Sequence, residues 1–536
     1  PPHLLTVASE EQHSQAQPAP QTFPQPLSQL LAGLPVQLPD ADPIVSRVSF
    51  DSRRVRPGDL YVGLPGTRSH GALFAEAARS AGAVALLSDP AGARLADGQH
   101  LPVVVCDDPR YVMAIASARV WGHPARNMTS FGVTGTNGKS TTVLMLASAL
   151  DAAAHRVGSI GTLGFLVGGE PVQIDHSTIT TPEAPDLQAI IATLAARGAD
   201  VMAMEVSSHA LALNRVAGIQ FDVAGFTNLG RDHLDFHHTM EAYYQAKAQL
   251  FTPGYAKRAV INGDDEAGRR LMRQAAELGL PAVSVGLGDG CDYRVVAWQP
   301  HGPGSRFTLA HDGAQLDAFT CLPGEYNVRN AATALAMIDQ AGYDMTAALP
   351  GLAAAVIPGR MQPVPLDGEA APHVYVDFAH TPQAIASALS AFSHPGFTGR
   401  RVIAVFGAGG DRDPDKREPM GAVGVHGADI VLVTDDNPRS EDPAAIRARV
   451  LAGAREAIAS AAPGSHDARV EAYDGGDRAT AIEQALRLAR AGDVVVILGK
   501  GHERSQQFAD RTIDFDDVAV TQDRWAQISQ APGGPS

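Results

Sequence analysis

Short, unbroken apolar runs alternate along the chain with longer Ala- and Leu-rich stretches of helical character. AVALL (83–87), MTSFGVTG (128–135), DVMAMEV (200–206), HVYVDFAH (373–380), RVIAVFGAGG (401–410), DIVLVTDDNPR (429–439) and DVVVILGKGHE (493–503) are of the first kind. Apolar runs of about four to seven residues, closed by Gly or polar residues, predict parallel strands buried on both faces. Alternation with helical stretches predicts an α/β fold. Gly/Pro punctuation at WGHPARN (121–127) and VIPGRMQP (356–363) sets the expected units at 26–125, 126–359 and 360–528. The Gln- and Pro-rich residues 1–25 are expected to form a disordered leader and 529–536 a tail.

Composition narrows the classes. A chain of 536 residues is too long for one core. Its net charge is −16, with 42 basic against 58 acidic residues, which argues against nucleic acid or an anionic membrane as main partner. The 3 cysteines, Cys106, Cys291 and Cys321, are far apart and form no CxxC pair, which favours a reducing compartment. With no long uncharged apolar run and no basic-then-apolar start, a cytoplasmic protein without membrane insertion is expected.

FGVTGTNGKSTT (131–142) joins an expected strand to an expected helix through a Gly-rich turn. Strict G-x-x-x-x-G-K-[ST] spacing would put glycine at 133, where the chain has Val133; Gly132 and Gly135 flank it. Turn and helix N–H groups would face phosphates, Lys139 would reach the β/γ-phosphates, and the Ser140 hydroxyl would ligate Mg²⁺. Glu205, closing DVMAMEV, is the matching carboxylate. The guanine-reading Asn-Lys-x-Asp signature is absent, so ATP is expected. TNLGRDHLDFHH (227–238) sets His233 and His237 four apart, as on one helix face. That spacing brings zinc to mind, but there is no Glu between them and no Cys nearby; a solvated turn is the commoner reading, and one imidazole helping to hold a second Mg²⁺ is the sharper one. Lys247, in the helical EAYYQAKAQLF, would by itself be read as snorkelling to the surface.

GVTGTNGKSTT, EVSSHALALNR, NLGRDHLD, AYYQAKAQLF, LPGEYNVRNAATA, IPGRMQ, DFAHTP, GGDRD, DNPR and GKGHE, in that order over about 47–505, resemble the Mur ligases. Within that family they are most similar to the ligases that add meso-diaminopimelate to UDP-N-acetylmuramoyl-L-alanyl-D-glutamate. TGTNGK(S/T)T alone marks a wider group that includes folylpolyglutamate synthases; DNPR with GKGHE narrows it. The resemblance implies three α/β domains: an N-terminal UDP-binding domain, a central P-loop-type ATPase domain with a parallel sheet, and a Rossmann-like C-terminal domain. It also accounts for the shifted glycine and implies a monomer working in peptidoglycan synthesis.

By the same resemblance, Gly135, Thr136, Asn137, Gly138, Lys139, Ser140 and Thr141 hold ATP. Asn330 is a base contact, Arg360 reaches the phosphates from a linker, and His380 lines the adenine side. Lys139, Glu205, His233 and Lys247 are the implied catalytic set. Two Mg²⁺ ions would be held by Ser140, Glu205, His233 and Lys247, the last as a carbamate. Phe50, Ser52, Thr67, Arg68 and Ser69 match uridine contacts, and Thr180, Thr181, Ser207 and Arg215 match contacts to the muramoyl-dipeptide. Ile179 and Leu213 depart from polar residues of some relatives.

The C-terminal loops carry a partly independent argument. GAGGDRD, TDDNPR and GKGHE each follow an expected strand, and ligands of open α/β sheets bind outside the strands' carboxyl ends. A dinucleotide fingerprint fails, because G-x-G-x-x-G requires glycine at 412 and the residue is Arg412. Diaminopimelate differs from lysine by a carboxylate, which calls for a planar cation and an acid for the neighbouring ammonium. Arg412, Asp436, Asn437, Pro438 and Arg439 are expected around the carboxylates, Glu503 at the ammonium, and Gly499 where backbone must come close. The competing readings are an L-lysine-adding relative, a folylpolyglutamate-synthase-like ligase and a non-catalytic nucleotide-binding regulator.

Overall fold

The computed structural model describes residues 20–172, 180–397 and 399–530. Its α/β architecture is organised around three sheets. Four parallel strands, Arg47–Ser49, Asp59–Gly63, Ala85–Ser88 and Val103–Val105, lie side by side in chain order. The helix Pro109–Val120 packs on them, started by the Asp108 carboxylate, which accepts from Tyr111 N at 3.0 Å. Of the leader expected over 1–25, residues 20–25 are described. Phe23 N donates to Val120 O at 2.7 Å and Gln25 pairs with Val45, so this stretch is anchored to the first unit.

Among the described residues the central sheet has 11 strands. Its middle is parallel, with Thr129–Thr134 between Val201–Glu205 and Phe221–Phe226. Antiparallel hairpins extend both edges. The middle strands are buried except at Thr129 and Asp222, which is why they read as apolar runs. The third sheet has 6 strands in the order Gln362–Val364, His373–Asp377, Val494–Leu498, Val402–Phe406, Ile430–Thr434, Glu471–Gly476. All but the first pairing are parallel, so the carboxyl ends of five consecutive neighbours share one edge.

A short 3₁₀ turn, Pro124–Asn127, lies between the helix ending at Val120 and the strand starting at Thr129. The segment 355–361 joins the central unit to the third sheet, with Met361 at φ +45°. Among the described residues no helix is long and apolar enough to cross a membrane.

Candidate active site

The strand Thr129–Thr134 ends in Gly135, and Gly138 caps the helix Lys139–Ala152 with φ +86°. A side chain at 138 would place its Cβ 2.4 Å from Asn330 Oδ1, so glycine is needed both for the backbone and for the contact. Asn330 is thereby brought against the turn from the helix Glu325–Gln340. A cavity of about 370 Å³ opens there, lined in part by Asn137, Gly138, Asn262, Arg329 and Asn330. Thr136 Oγ1 lies 3.1 Å from the Tyr243 hydroxyl, and Asn137 N donates to Asn228 Oδ1 at 2.9 Å. Ser140 and Thr141 are buried in the first helical turn.

Lys139 folds over the turn, its Nζ donating to Gly135 O at 3.0 Å and Thr136 O at 3.1 Å. Burial pushes its ammonium below the usual lysine range and the Arg360 charge adds to this, while Glu205 and Asp232 oppose it. Lys247 is not a snorkelling surface residue. It is 1% exposed, and its Nζ donates to the same Gly135 O at 2.8 Å, 4.5 Å from the Tyr243 ring centroid. Burial, followed by repulsion from Lys139, holds it well below the ordinary lysine value, against the pull of Asp232. Two amines thus converge on one carbonyl.

Glu205 ends its strand opposite Val133, one strand away from the turn. Its Oε1 accepts from Thr162 N at 2.8 Å and its Oε2 from Thr162 Oγ1 at 3.3 Å. Thr181 Oγ1 donates to Glu205 O at 2.8 Å and accepts from Ser207 N at 3.1 Å. Thr180 Oγ1 lies 3.2 Å from Thr162 Oγ1. Arg215 donates to Thr181 O and pairs with Glu183 at 2.8 Å. Thr180, Thr181, Ser207 and Arg215 are therefore one connected group beside Glu205. Leu213 caps the helix Ser208–Ala212, half-buried; Ile179 lies outside the described residues.

His233 and His237 share one side, as their spacing suggests: His237 N donates to His233 O at 2.9 Å, and both rings pack against His209, with centroids 4.8 and 5.5 Å away. His233 sits before the short helix Leu234–His237 at φ +51°, partly exposed, 3.4 Å from Asp232 Oδ2. His237 turns inward, with Nε2 2.9 Å from Ser208 Oγ. The left-handed backbone at 233 places that residue at the start of the helix, not within it. Among the described residues no three His, Cys, Asp or Glu side chains are grouped to hold a metal ion.

Arg360 lies over the Phe378 ring, 5.1 Å from its centroid. His380 turns its Nδ1 to within 2.8 Å of Phe378 O. In the first unit, Phe50 and Ser52 follow one strand and the exposed Thr67, Arg68 and Ser69 follow its parallel neighbour, so both groups stand at the same sheet edge.

The three C-terminal loops follow adjacent strands, and their side chains interlock. Asn437 Nδ2 donates to Glu503 Oε2 at 3.1 Å. Arg439, at φ +52°, donates through Nη1 to Gly410 O at 2.7 Å and makes no ion pair among the described residues. Pro438 O accepts from Glu441 N at 3.1 Å, closing a turn. Arg412 is exposed. Asp436 is 8% exposed, and its Oδ1 is buried without a hydrogen-bond partner. Gly499 adopts φ +116° and lies against the Asp436 carboxylate, which a Cβ there would meet at 3.8 Å.

A UDP-N-acetylmuramoyl-L-alanyl-D-glutamate–2,6-diaminopimelate ligase of Streptomyces coelicolor is 43% identical over 498 residues, 92% of this chain and 95% of that protein. The chain belongs to the Mur ligase family. It is an ATP-dependent ligase. Family descriptions match in three segments: Mur ligase family, catalytic domain at 44–120; Mur ligase middle domain at 133–338; and Mur ligase, glutamate ligase domain at 359–501. A UDP-N-acetylmuramyl-tripeptide synthetase of Leifsonia xyli is 42% identical, covering 91% of this chain and 94% of its own. A solved structure of a UDP-N-acetylmuramoyl-L-alanyl-D-glutamate–2,6-diaminopimelate ligase superposes with TM-score 0.72 at 30% identity, over 95% of this chain and 100% of that one.

Several residues of this Mur ligase escaped sequence reasoning. Thr162 orients Glu205, Glu183 engages Arg215, and Arg478 forms a wholly buried pair with Asp517. None carries a local signal, since each partner lies 32 or more residues away. Lys500 lies inside the GKGHE motif, but nothing in that motif says that its ammonium is 0% exposed.

Proposed function

We propose that this Mur ligase adds meso-diaminopimelate to UDP-N-acetylmuramoyl-L-alanyl-D-glutamate, in the cytoplasm, as a monomer. Units 26–125, 126–359 and 360–528 would bind the UDP end, ATP and the amino acid. The observation that carries the amino-acid assignment is that Arg439, which makes no ion pair among the described residues, shares its loop with Asn437, which holds Glu503, and with Asp436, whose Oδ1 has no hydrogen-bond partner. A carboxylate beside an ammonium, the far end of diaminopimelate, complements that arrangement, whereas lysine offers only the ammonium.

ATP would occupy the turn 135–141, its base toward Asn330 in the 370 Å³ cavity, with His380 on the adenine side as the family resemblance implies. The γ-phosphoryl group passes to the D-glutamyl carboxylate to form an acyl phosphate. The diaminopimelate amine attacks the carbonyl, and phosphate leaves as the amide forms. Two polyanionic partners must approach each other, so Lys139 and Arg360 are placed to screen their charge. Thr180, Thr181, Ser207 and Arg215 would orient the dipeptide next to Glu205. Phe50, Ser52, Thr67, Arg68 and Ser69 would hold the uridine end.

Ser140 would offer Mg²⁺ a hydroxyl, Glu205 a carboxylate and His233 an imidazole, and burial shifts Lys247 away from its charged form, toward the amine that reacts with CO₂. As a carbamate, Lys247 would offer anionic oxygens where a free ammonium would repel a cation. Mg²⁺ so held would supply neutralisation of phosphate charge. The deciding experiment is phosphate release from ATP with the UDP-muramoyl-dipeptide, giving meso-diaminopimelate or L-lysine in parallel. Release with diaminopimelate alone is expected; release with lysine alone overturns the amino-acid assignment. Release with neither, in bicarbonate and Mg²⁺, overturns the ligase reading.

A further inference from the structure

Lys500 is the second residue of Gly499-Lys500-Gly501, directly after the strand Val494–Leu498. Its side chain is 0% exposed. A lysine ammonium is almost never buried unless paired, because taking the charge out of water is costly. Here Nζ donates to Asn437 Oδ1 at 3.3 Å and to Glu503 Oε2 at 3.2 Å. Asn437 closes the triangle by donating Nδ2 to the same Glu503 oxygen at 3.1 Å, and its Oδ1 also accepts from Gln507 N at 3.0 Å. Lys500 and Asn437 therefore occupy Glu503 Oε2 and leave Oε1 outside the triangle. The rotamers of two expected ligand contacts are locked by a group the ligand itself need not touch.

We propose that Lys500 is a specificity-positioning residue of the amino-acid pocket, acting through Asn437 and Glu503 and through its own charge. This rests on the proposed diaminopimelate reading and extends it. Lys500 balances the negative charge of Glu503, and Arg439, two residues beyond Asn437 on the same loop, is a cation with no ion pair among the described residues. A lysine side chain brings a positive charge into that site with no carboxylate to offset it. The far end of diaminopimelate brings a carboxylate for Arg439 and an ammonium for Glu503 Oε1, with no net charge. Without Lys500 the site becomes more negative and Glu503 is released to rotate. Both changes favour lysine relative to diaminopimelate.

The test is steady-state phosphate release by the full chain and its K500M variant, with meso-diaminopimelate and L-lysine as alternative amines. K500M is expected to raise KM for diaminopimelate about tenfold or more, the scale of a charged hydrogen bond. The kcat and the KM for ATP should stay within a few-fold, and the kcat/KM preference for diaminopimelate over lysine should fall at least as far. A merely structural lysine would lower all parameters together or change only thermal stability, and either result overturns the proposal. Should K500M fail to fold, K500M/E503Q removes both charges. Its KM is expected to match that of E503Q alone, and a further multiplicative rise overturns the proposal. Wild-type use of lysine instead of diaminopimelate overturns the function and this inference together. A wild-type preference for diaminopimelate that K500M leaves intact overturns this inference alone.

Discussion

Removing Asp517 should unfold the C-terminal unit far more readily than removing a surface acid. Arg478 and Asp517 are both 0% exposed, joined through Nε and Nη2 at 2.7 Å each. Arg478 also donates to Leu498 O at 3.0 Å and Asp435 O at 3.4 Å, the residues immediately before the GKGHE and DNPR motifs. The ion pair thus lies under the amino-acid loops. D517A would leave a guanidinium buried with only neutral acceptors, and breaking such a pair costs about 3–5 kcal/mol. Urea unfolding would be followed by fluorescence of Trp525, whose indole donates to Asp367 O within the same unit, in a W121F/W298F background. The expected result is that loss at unchanged slope, with R478M/D517L recovering most of it, because an apolar pair leaves no charge behind. A loss below about 1 kcal/mol, the range of exposed pairs, would refute the reasoning. So would a double variant as unstable as D517A.

Three further outcomes follow from the geometry. G138A should raise KM for ATP at least about tenfold while leaving the melting temperature of the other units unchanged, because its Cβ would stand 2.4 Å from Asn330 Oδ1 at φ +86°; ATP kinetics beside calorimetry checks this. Stripping CO₂ at mildly acidic pH should inactivate the wild type, bicarbonate should restore it, and a ¹³C carbamate resonance should vanish in K247Q; full activity of K247Q would refute the carbamate. The Glu241 carboxyl, hydrogen-bonded to Arg270 and then Gln245, is held down from 4.5 to about 2. With the folded value depressed, its contribution is present above the unfolded value of 4.5 and is lost as pH falls toward 2. An NMR titration should show that midpoint, and R270Q should move it back up.

Much of the local structure was legible. The buried strands announced themselves as unbroken apolar runs, and the turn at 135–138 by its glycines next to Lys139. The ends of Val402–Phe406, Ile430–Thr434 and Val494–Leu498 were expected at one edge, because parallel strands place their carboxyl ends together. What was read too simply were side chains whose fate depends on distant partners. Lys247 looks like a surface lysine until the turn at Gly135 is packed on it, and the spacing of His233 and His237 gives their shared side but not that His237 is buried on Ser208 while His233 is exposed.

By itself the sequence determined which segments become strands and helices, since periodicity and turn chemistry act over a few residues. It also carried the family, through ordered motifs with the chemistry of phosphate and carboxylate recognition. Tertiary structure alone decided which charges are buried and with whom. Arg478 meets Asp517 across 39 residues, Lys500 meets Asn437 across 63, and Lys247 meets Gly135 across 112. Desolvation depends on everything packed around a group, and that enclosure exists only once the strands have taken their places.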